Sequence, residues 1–161
     1  MLFRSIPPGS DRDRRWWYTE AMPTLAVCSW SLRPTTAADL VEKVRACSID
    51  AVQLALDPIC DRHWDEAGTA AALRDAGIRV ISGMMGTVGE DYSTLESIAR
   101  TGGIRPDATW QENLSRSRNI AKIAERLGLK LVTFHAGFLP HDRGNAERDR
   151  KSTRLNSSHL V

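Results

Sequence analysis

His135 is the residue with the clearest chemical potential, and it directly follows the apolar run of residues 129–134. Gly128 precedes this run and Gly137 lies just after His135, so the run is typical of a strand buried on both faces of a parallel sheet. Ligands of α/β proteins bind at the carboxyl ends of such strands. The imidazole could hydrogen-bond a ligand hydroxyl or help to bind a metal ion, or it could bond the backbone in a structural role. One histidine alone makes no metal site, because zinc usually takes three or four protein ligands.

Trp30 and Gln53 are the two other candidates for ligand contacts. Trp30 lies near the far end of the apolar run 24–32, where its indole could form an apolar wall of a site or pack against the rim of the fold. Gln53 lies inside the run 51–56 and could hydrogen-bond a ligand, although a structural polar contact is favoured. Its amide is uncharged at neutral pH and cannot act as a carboxylate base. We predict that Trp30, Gln53 and His135 contact a ligand, and we predict no metal site from this set.

The segments that position these residues alternate between strand and helix. Compact apolar runs predict strands at residues 24–32, 51–56, 79–85 and 129–134. The intervening segments predict helices at residues 37–46, 64–76, 93–100 and 109–127. This alternation indicates right-handed βαβ units and a parallel sheet, hence the α/β class. Two folds fit: an open doubly wound sheet, or the N-terminal half (about four βα units) of a (β/α)8 TIM barrel, which needs about 250 residues when complete.

Hydroxyl side chains are predicted to cap three of these helices. Thr35 or Thr36 precedes the first helix, and Thr109 precedes the last one. Ser93 stands three residues before Glu96, which is the spacing of a capping box.

Composition narrows the class of protein. The chain has 161 residues and a formal net charge of +2, so its charge gives no argument for a nucleic-acid or membrane partner, and we predict neither. The cysteines Cys28, Cys47 and Cys60 have no CxxC spacing, which favours reduced thiols in a cytoplasmic protein. The glycine-rich phosphate-binding and dinucleotide-binding patterns and the GxSxG nucleophile motif do not occur in the sequence.

Four short motifs resemble those of a known family. They are CSWSL at residues 28–32, DAVQL at 50–54, AGIRV at 76–80 and LVTFHAG at 131–137. In this order and spacing they resemble the amino-terminal half of the xylose-isomerase-like barrels, which include the sugar phosphate isomerases and epimerases. The resemblance covers roughly residues 23–142.

The resemblance implies a (β/α)8 barrel whose active site lies at the carboxyl ends of the strands. It implies a small sugar or sugar phosphate as substrate, contacted by Trp30, Gln53 and His135. It also implies a divalent metal ion (Mn, Mg, Co or Zn) and two acidic side chains that move a proton next to a carbonyl. In the family those acids and most metal ligands come from strands five to eight. We therefore expect this chain to be a fragment that binds no metal and is inactive alone, with its catalytic residues unknown.

Two alternatives remain open at this stage. The first is an enzyme like the apurinic-site endonucleases, which are distant relatives that repair DNA. Such an enzyme should carry more metal-binding histidines, including one after strand three, where Gly86 and Thr87 stand instead. The second is a non-catalytic half-barrel that associates with itself, because an open half-barrel exposes two strand edges.

Both ends of the chain look foreign to the rest. Residues 149–159 (DRKSTRLNSSH) resemble one reading frame of a common sequencing adapter, and residues 1–5 (MLFRS) resemble its reverse complement. We therefore expect a non-native or disordered leader at 1–22, a xylose-isomerase-like half-barrel at 23–148 and an adapter-derived tail at 149–161.

Overall fold

The computed structural model describes residues 24–138. The predicted leader at 1–22 and tail at 149–161 lie outside the described residues, as do the two ends of the predicted half-barrel segment. Within the described part the elements follow in this order: β1 (Val27–Cys28), α1 (Ser29–Leu32), α2 (Ala37–Ala46), β2 (Ala51–Ala55), α3 (Asp57–Cys60), α4 (Glu66–Asp75), β3 (Arg79–Met85), α5 (Leu95–Thr101), α6 (Trp110–Arg126) and β4 (Val132–Phe134).

The sheet has four parallel strands in the order β1-β2-β3-β4 within residues 24–138. A doubly wound sheet reverses its strand order at a switch point, where ligands bind. No reversal occurs here, and each strand pairs with the next one along the chain. This sequential order is that of a barrel, and the open doubly wound alternative is therefore wrong.

One face of the sheet is buried beneath the helices. Val52 and Leu54 of β2 pack in a cluster with Leu40 of α2, Leu73 of α4 and Ile120 of α6, and all five are almost completely buried. Burial of each such side chain contributes about 1.5–3 kcal/mol. Side chains alternate along a strand, so Gln53, between Val52 and Leu54, faces the opposite side, which is the interior side of a barrel.

The first predicted strand is much shorter than expected. Residues 24–32 were expected to form one strand, but only Val27–Cys28 do, and Ser29–Leu32 form one helical turn. The buried hydroxyl of Ser29 accepts a hydrogen bond from the backbone N–H of Ala55 at 2.8 Å. This bond lets the chain leave the sheet one residue after Cys28. Trp30 therefore lies in α1 rather than at the end of a strand.

The fourth predicted strand also differs from its prediction. Only Val132–Phe134 pair with β3, and these residues are half-buried rather than buried on both faces. Leu131 is 56% exposed. The reason is that β4 is an edge strand in residues 24–138, with a neighbour on one side only.

The four predicted helices and the third strand agree closely with the sequence, whereas the short helices α1 and α3 were not predicted. β3 and α2 have the predicted bounds, and the hydroxyl of Thr36 accepts from the backbone N–H of Asp39 at 3.1 Å, which confirms that cap. The cap of α5 is Thr94 rather than Ser93. Thr109 precedes α6 as predicted, but its buried hydroxyl makes no capping bond. No helix in residues 24–138 has the length and apolarity to cross a membrane.

Candidate functional site

The carboxyl ends of the strands meet along one edge of the sheet. Trp30 follows β1, Asp57 follows β2, Gly86 follows β3 and His135 follows β4. In a parallel sheet these positions are neighbours, so four connections of the chain converge on this edge. The contacts made there form two groups, and a third group lies deeper in the sheet.

The first group is organised by the carboxylate of Asp57. Both of its oxygens accept from the backbone N–H of Gly86, at 3.0 Å each. One of them also accepts from Nη2 of Arg116 on α6, at 2.9 Å. The side chains of Asp57 and Arg116 are only 15% and 16% exposed. The carboxylate thereby connects the ends of β2 and β3 to the longest helix.

Arg116 has a second carboxylate partner in Asp61. Its Nη1 lies 2.6 Å from Oδ1 of Asp61, and its Nη2 lies 2.9 Å from Oδ2, so the pair is bidentate. The hydrogen bond from Arg116 lowers the pKa of Asp61, and the same bond raises the pKa of Arg116 further above its ordinary value. Both groups therefore stay charged near neutral pH. We conclude that they anchor the edge and do not exchange protons.

Trp30 packs over the backbone of Gly86. A Cβ atom at residue 86 would lie 2.5 Å from Cζ2 of Trp30, a distance that real Cβ atoms do not show. The side chain of Trp30 thus uses the space that glycine leaves, and it remains 44% exposed. This geometry fits an apolar wall at the strand-end edge as well as it fits simple rim packing.

The second group joins His135 to Glu90, which lies in the connection after β3. Nδ1 of His135 is 2.9 Å from Oε1 of Glu90, and the backbone N–H of Gly103 donates to the same oxygen at 2.7 Å. The Glu90 side chain is 7% exposed and that of His135 is 44% exposed. Burial alone would raise the pKa of Glu90, but hydrogen bonds, led by those from His135 and Gly103, together with the charge interaction with His135, lower that pKa below its ordinary value.

The connection between α5 and α6 packs tightly against the segment that follows β4. The N–H of Ile104 donates to the carbonyl oxygen of His135 at 3.0 Å. A Cβ atom on Gly103 would overlap the backbone of Gly137, and both glycines have positive φ, +78° and +102°. Only glycine allows this close approach of two backbones. The connection between α5 and α6, whose Gly103 N–H donates to Glu90, is therefore fixed directly onto the segment that follows β4.

Gln53 lies deeper, within the sheet. Its Nε2 donates to Oγ of Ser82 at 3.3 Å and to Oγ1 of Thr133 at 3.0 Å, which links β2 to β3 and β4 across the interior face. Since Gln53 is two residues before the end of β2, it is about 7 Å from the edge. No hydrogen bond or ring contact joins Gln53, Trp30 and His135 to one another.

Sequence reasoning missed Asp57, Arg116 and Glu90. Asp57 precedes Pro58, a dipeptide that by itself predicts a turn. Arg116 belongs to the polar face of a long helix, where arginine is common. Glu90 lies in a long connection, and no local pattern shows where such a connection folds back. The glycines at 86 and 89 are the one signal that a close approach occurs there.

The described residues do not fit the divalent metal that the family resemblance implies. Within residues 24–138 no three His, Cys, Asp or Glu side chains come close enough together to hold a metal ion. Glu90 and His135 supply two such groups, and Glu90 already accepts hydrogen bonds on both of its oxygens. This part of the chain therefore offers no complete metal site.

The fold is similar to that of solved structures, among them the crystal structure of a xylose isomerase domain protein from Planctomyces limnophilus, with a TM-score of 0.64 and 19% sequence identity. The match covers 83% of this chain and 48% of that one. This chain has the fold of half a (β/α)8 barrel. The fold prediction is thus confirmed, while an identity of 19% says nothing about the reaction.

The chain spans about half the length of the structure that it matches. No protein-family model matches the sequence, and no curated protein matches it significantly. The roles of Trp30, Gln53 and His135 therefore stay predictions, which rest on the geometry of the half-barrel.

Proposed function

We propose that this chain forms the amino-terminal half of a metal-dependent sugar or sugar phosphate isomerase or epimerase, which moves a proton next to a carbonyl. The observation that carries the proposal is the sequential four-stranded sheet, which matches half of a xylose isomerase domain protein. In a barrel of this kind the substrate lies over the carboxyl ends of the strands. The proton-transferring acids and the metal ligands belong, on this proposal, to elements that residues 24–138 do not contain.

The residues of this half have binding and orienting roles. Trp30 offers a partly exposed indole over Gly86, which suits the apolar face of a sugar ring. His135 offers a partly exposed imidazole that can bond a hydroxyl. Gln53 holds the three strands together on the interior face through its hydrogen bonds to Ser82 and Thr133. The Asp57–Arg116 pair keeps the ends of β2 and β3 in place beneath the substrate.

The test uses the purified chain and a panel of aldoses, ketoses and their phosphates. We expect weak binding that shifts the NMR signals of the Trp30 indole and the His135 imidazole. His135→Ala should weaken this binding, while His63→Ala, at an exposed loop histidine, should leave it unchanged. We also expect no interconversion of any sugar when Mn²⁺ or Mg²⁺ is added. Turnover by the chain alone would contradict the assignment as a half enzyme, and a folded chain that binds no sugar would contradict the substrate class.

A second candidate function is self-association of the half-barrel. In residues 24–138, β1 and β4 each pair on one side only. Two copies related by a two-fold axis along the barrel would place β4 of one copy beside β1 of the other, in parallel. Such pairing closes eight strands and leaves no edge.

A further inference from the structure

We propose that Glu90 is a positioning residue that holds His135 in one tautomer, with Nδ1 protonated and Nε2 ready to accept the proton of a substrate hydroxyl. This inference rests on the proposed function, because it needs a substrate with hydroxyl groups. Glu90 itself touches no substrate in this arrangement.

The hydrogen-bond pattern around Glu90 assigns the tautomer. An ionised carboxylate only accepts hydrogen bonds, so the ring nitrogen that faces it must carry a proton. That nitrogen is Nδ1, which lies 2.9 Å from Oε1 of Glu90. In the neutral imidazole Nε2 is then the unprotonated nitrogen. The second nitrogen is therefore a proton acceptor.

The carboxylate is fixed on all sides and is not available to a substrate. Oε1 accepts from the N–H of Gly103 as well as from His135, and Oε2 accepts from the hydroxyl of Tyr92 at 3.3 Å. Its side chain is 7% exposed. A carboxylate held in this way orients the imidazole and stabilises the imidazolium that forms when Nε2 takes a proton.

The imidazole is held by packing but remains open to a ligand. A Cβ atom on Gly102 would lie 3.2 Å from Cε1 of His135, and the ring of Phe138 meets the imidazole edge to face with centroids 6.0 Å apart. His135 nevertheless keeps 44% of its side chain exposed, at the carboxyl edge of the sheet. A ring that is fixed and still accessible has the properties of a preorganised acid–base group.

The proton transfer is a simple exchange. The O–H bond of the substrate hydroxyl breaks and its electron pair stays on the oxygen. The proton forms a new N–H bond at Nε2, and the resulting imidazolium is neutralised by Glu90. The reverse step returns the proton, so no oxidant or other reactant is needed.

The test measures the tautomer directly, without any ligand. We expect the ¹⁵N NMR signals of His135 to show a protonated Nδ1 and an unprotonated Nε2, in contrast to the exposed His63, which serves as the internal reference. Glu90→Ala should remove this difference, so that the His135 signals approach those of His63. Glu90→Gln keeps an acceptor oxygen on a side chain of the same length, and this variant should retain the fold and the Nδ1-protonated form of His135. A wild-type His135 with a protonated Nε2 would overturn the proposal.

A sugar titration then tests the role of Nε2. We expect sugar to shift the Nε2 signal of the wild-type chain. Glu90→Ala should weaken sugar binding about fivefold, which corresponds to the loss of one hydrogen bond. An unchanged affinity in folded Glu90→Ala would overturn the proposal even if its tautomer changes. If the wild-type tautomer is as expected but no sugar binds, the substrate class fails and the hydroxyl role of Nε2 fails with it, while Glu90 is still shown to fix the ring.

Discussion

Asp57 shows how one side chain can hold several connections of the chain in place. It is the first residue of α3, yet its carboxylate points to the amide of Gly86 and to the guanidinium of Arg116. The charge is only 15% exposed, so its loss would leave the guanidinium of Arg116 with one partner fewer in a largely buried position. Interactions of this kind cost more when broken than surface pairs do.

The first prediction concerns this carboxylate. Asp57→Ala should lower the free energy of unfolding by about 2–3 kcal/mol, because it removes a charge partner and the acceptor for the Gly86 amide. The matched control is Asp75→Ala, since Asp75 pairs with Arg74 where both side chains are more than 70% exposed. The control should change stability by less than about 0.5 kcal/mol. Urea unfolding followed by tryptophan fluorescence measures both, and equal effects would show that Asp57 is an ordinary surface acid.

The second prediction concerns the pH dependence of Glu90. Its pKa in the folded chain is below the ordinary value of 4.5. A lowered pKa contributes stability that is present above the unfolded pKa and is lost as the pH falls through the folded pKa. The advantage of the wild type over Glu90→Gln should therefore shrink as the pH falls below this ordinary value and through the lowered pKa of Glu90. Urea midpoints at a series of pH values from neutral into the acid range measure it. Other acids such as Asp61 titrate in both proteins, so a constant difference would contradict the assignment.

At the scale of elements, the third prediction concerns the start of α5. Ser93 and Thr94 both offer a hydroxyl, and the sequence favours Ser93 through its spacing to Glu96. In the structure Ser93 instead donates its N–H to Asp91, and Thr94 caps the helix by accepting from the N–H of Ser97 at 3.0 Å.

Thr94→Ala should therefore destabilise the first turn of α5 by about 1 kcal/mol. Hydrogen exchange of the Ser97 amide should speed up about fivefold, the kinetic equivalent of that energy. Ser93→Ala is the matched control and should leave the exchange of Ser97 nearly unchanged. Faster exchange of the Ser97 amide in Ser93→Ala than in Thr94→Ala would support Ser93 as the cap, as the sequence predicted.

The elements also show which parts of the fold a sequence can predict. α2 was predicted with correct bounds because its apolar spacing is regular over the whole helix, and β3 because its apolar run is bounded by Gly77 and Gly86. β1 was predicted too long. It ends where the hydroxyl of Ser29 accepts a hydrogen bond from the N–H of Ala55 in β2, and no local sequence pattern shows that bond. The position of His135 after β4 was predictable, whereas its partner Glu90 was not, because 45 residues separate the two along the chain.

At the scale of the whole molecule, the fourth prediction concerns the two open edges of the sheet. We expect sedimentation velocity at several concentrations to show a reversible dimer. Leu131→Lys places a charge next to β4 at a side chain that is 56% exposed, and it should shift the equilibrium toward the monomer. Leu95→Lys is the matched control, since Leu95 is 83% exposed on α5. A wild-type chain that stays monomeric at all concentrations would contradict the pairing of edges.

The contact between Gly103 and Gly137 has a consequence for the order in which the chain can acquire its shape on the ribosome. A growing chain that has emerged only through α6 offers nothing for Gly103 to lie against and no imidazole for Glu90. The connection between α5 and α6 can complete its contacts only after residues 135–137 have appeared. Protease cleavage within that connection should therefore slow once those residues have emerged, and its decline would time the completion of the ligand edge.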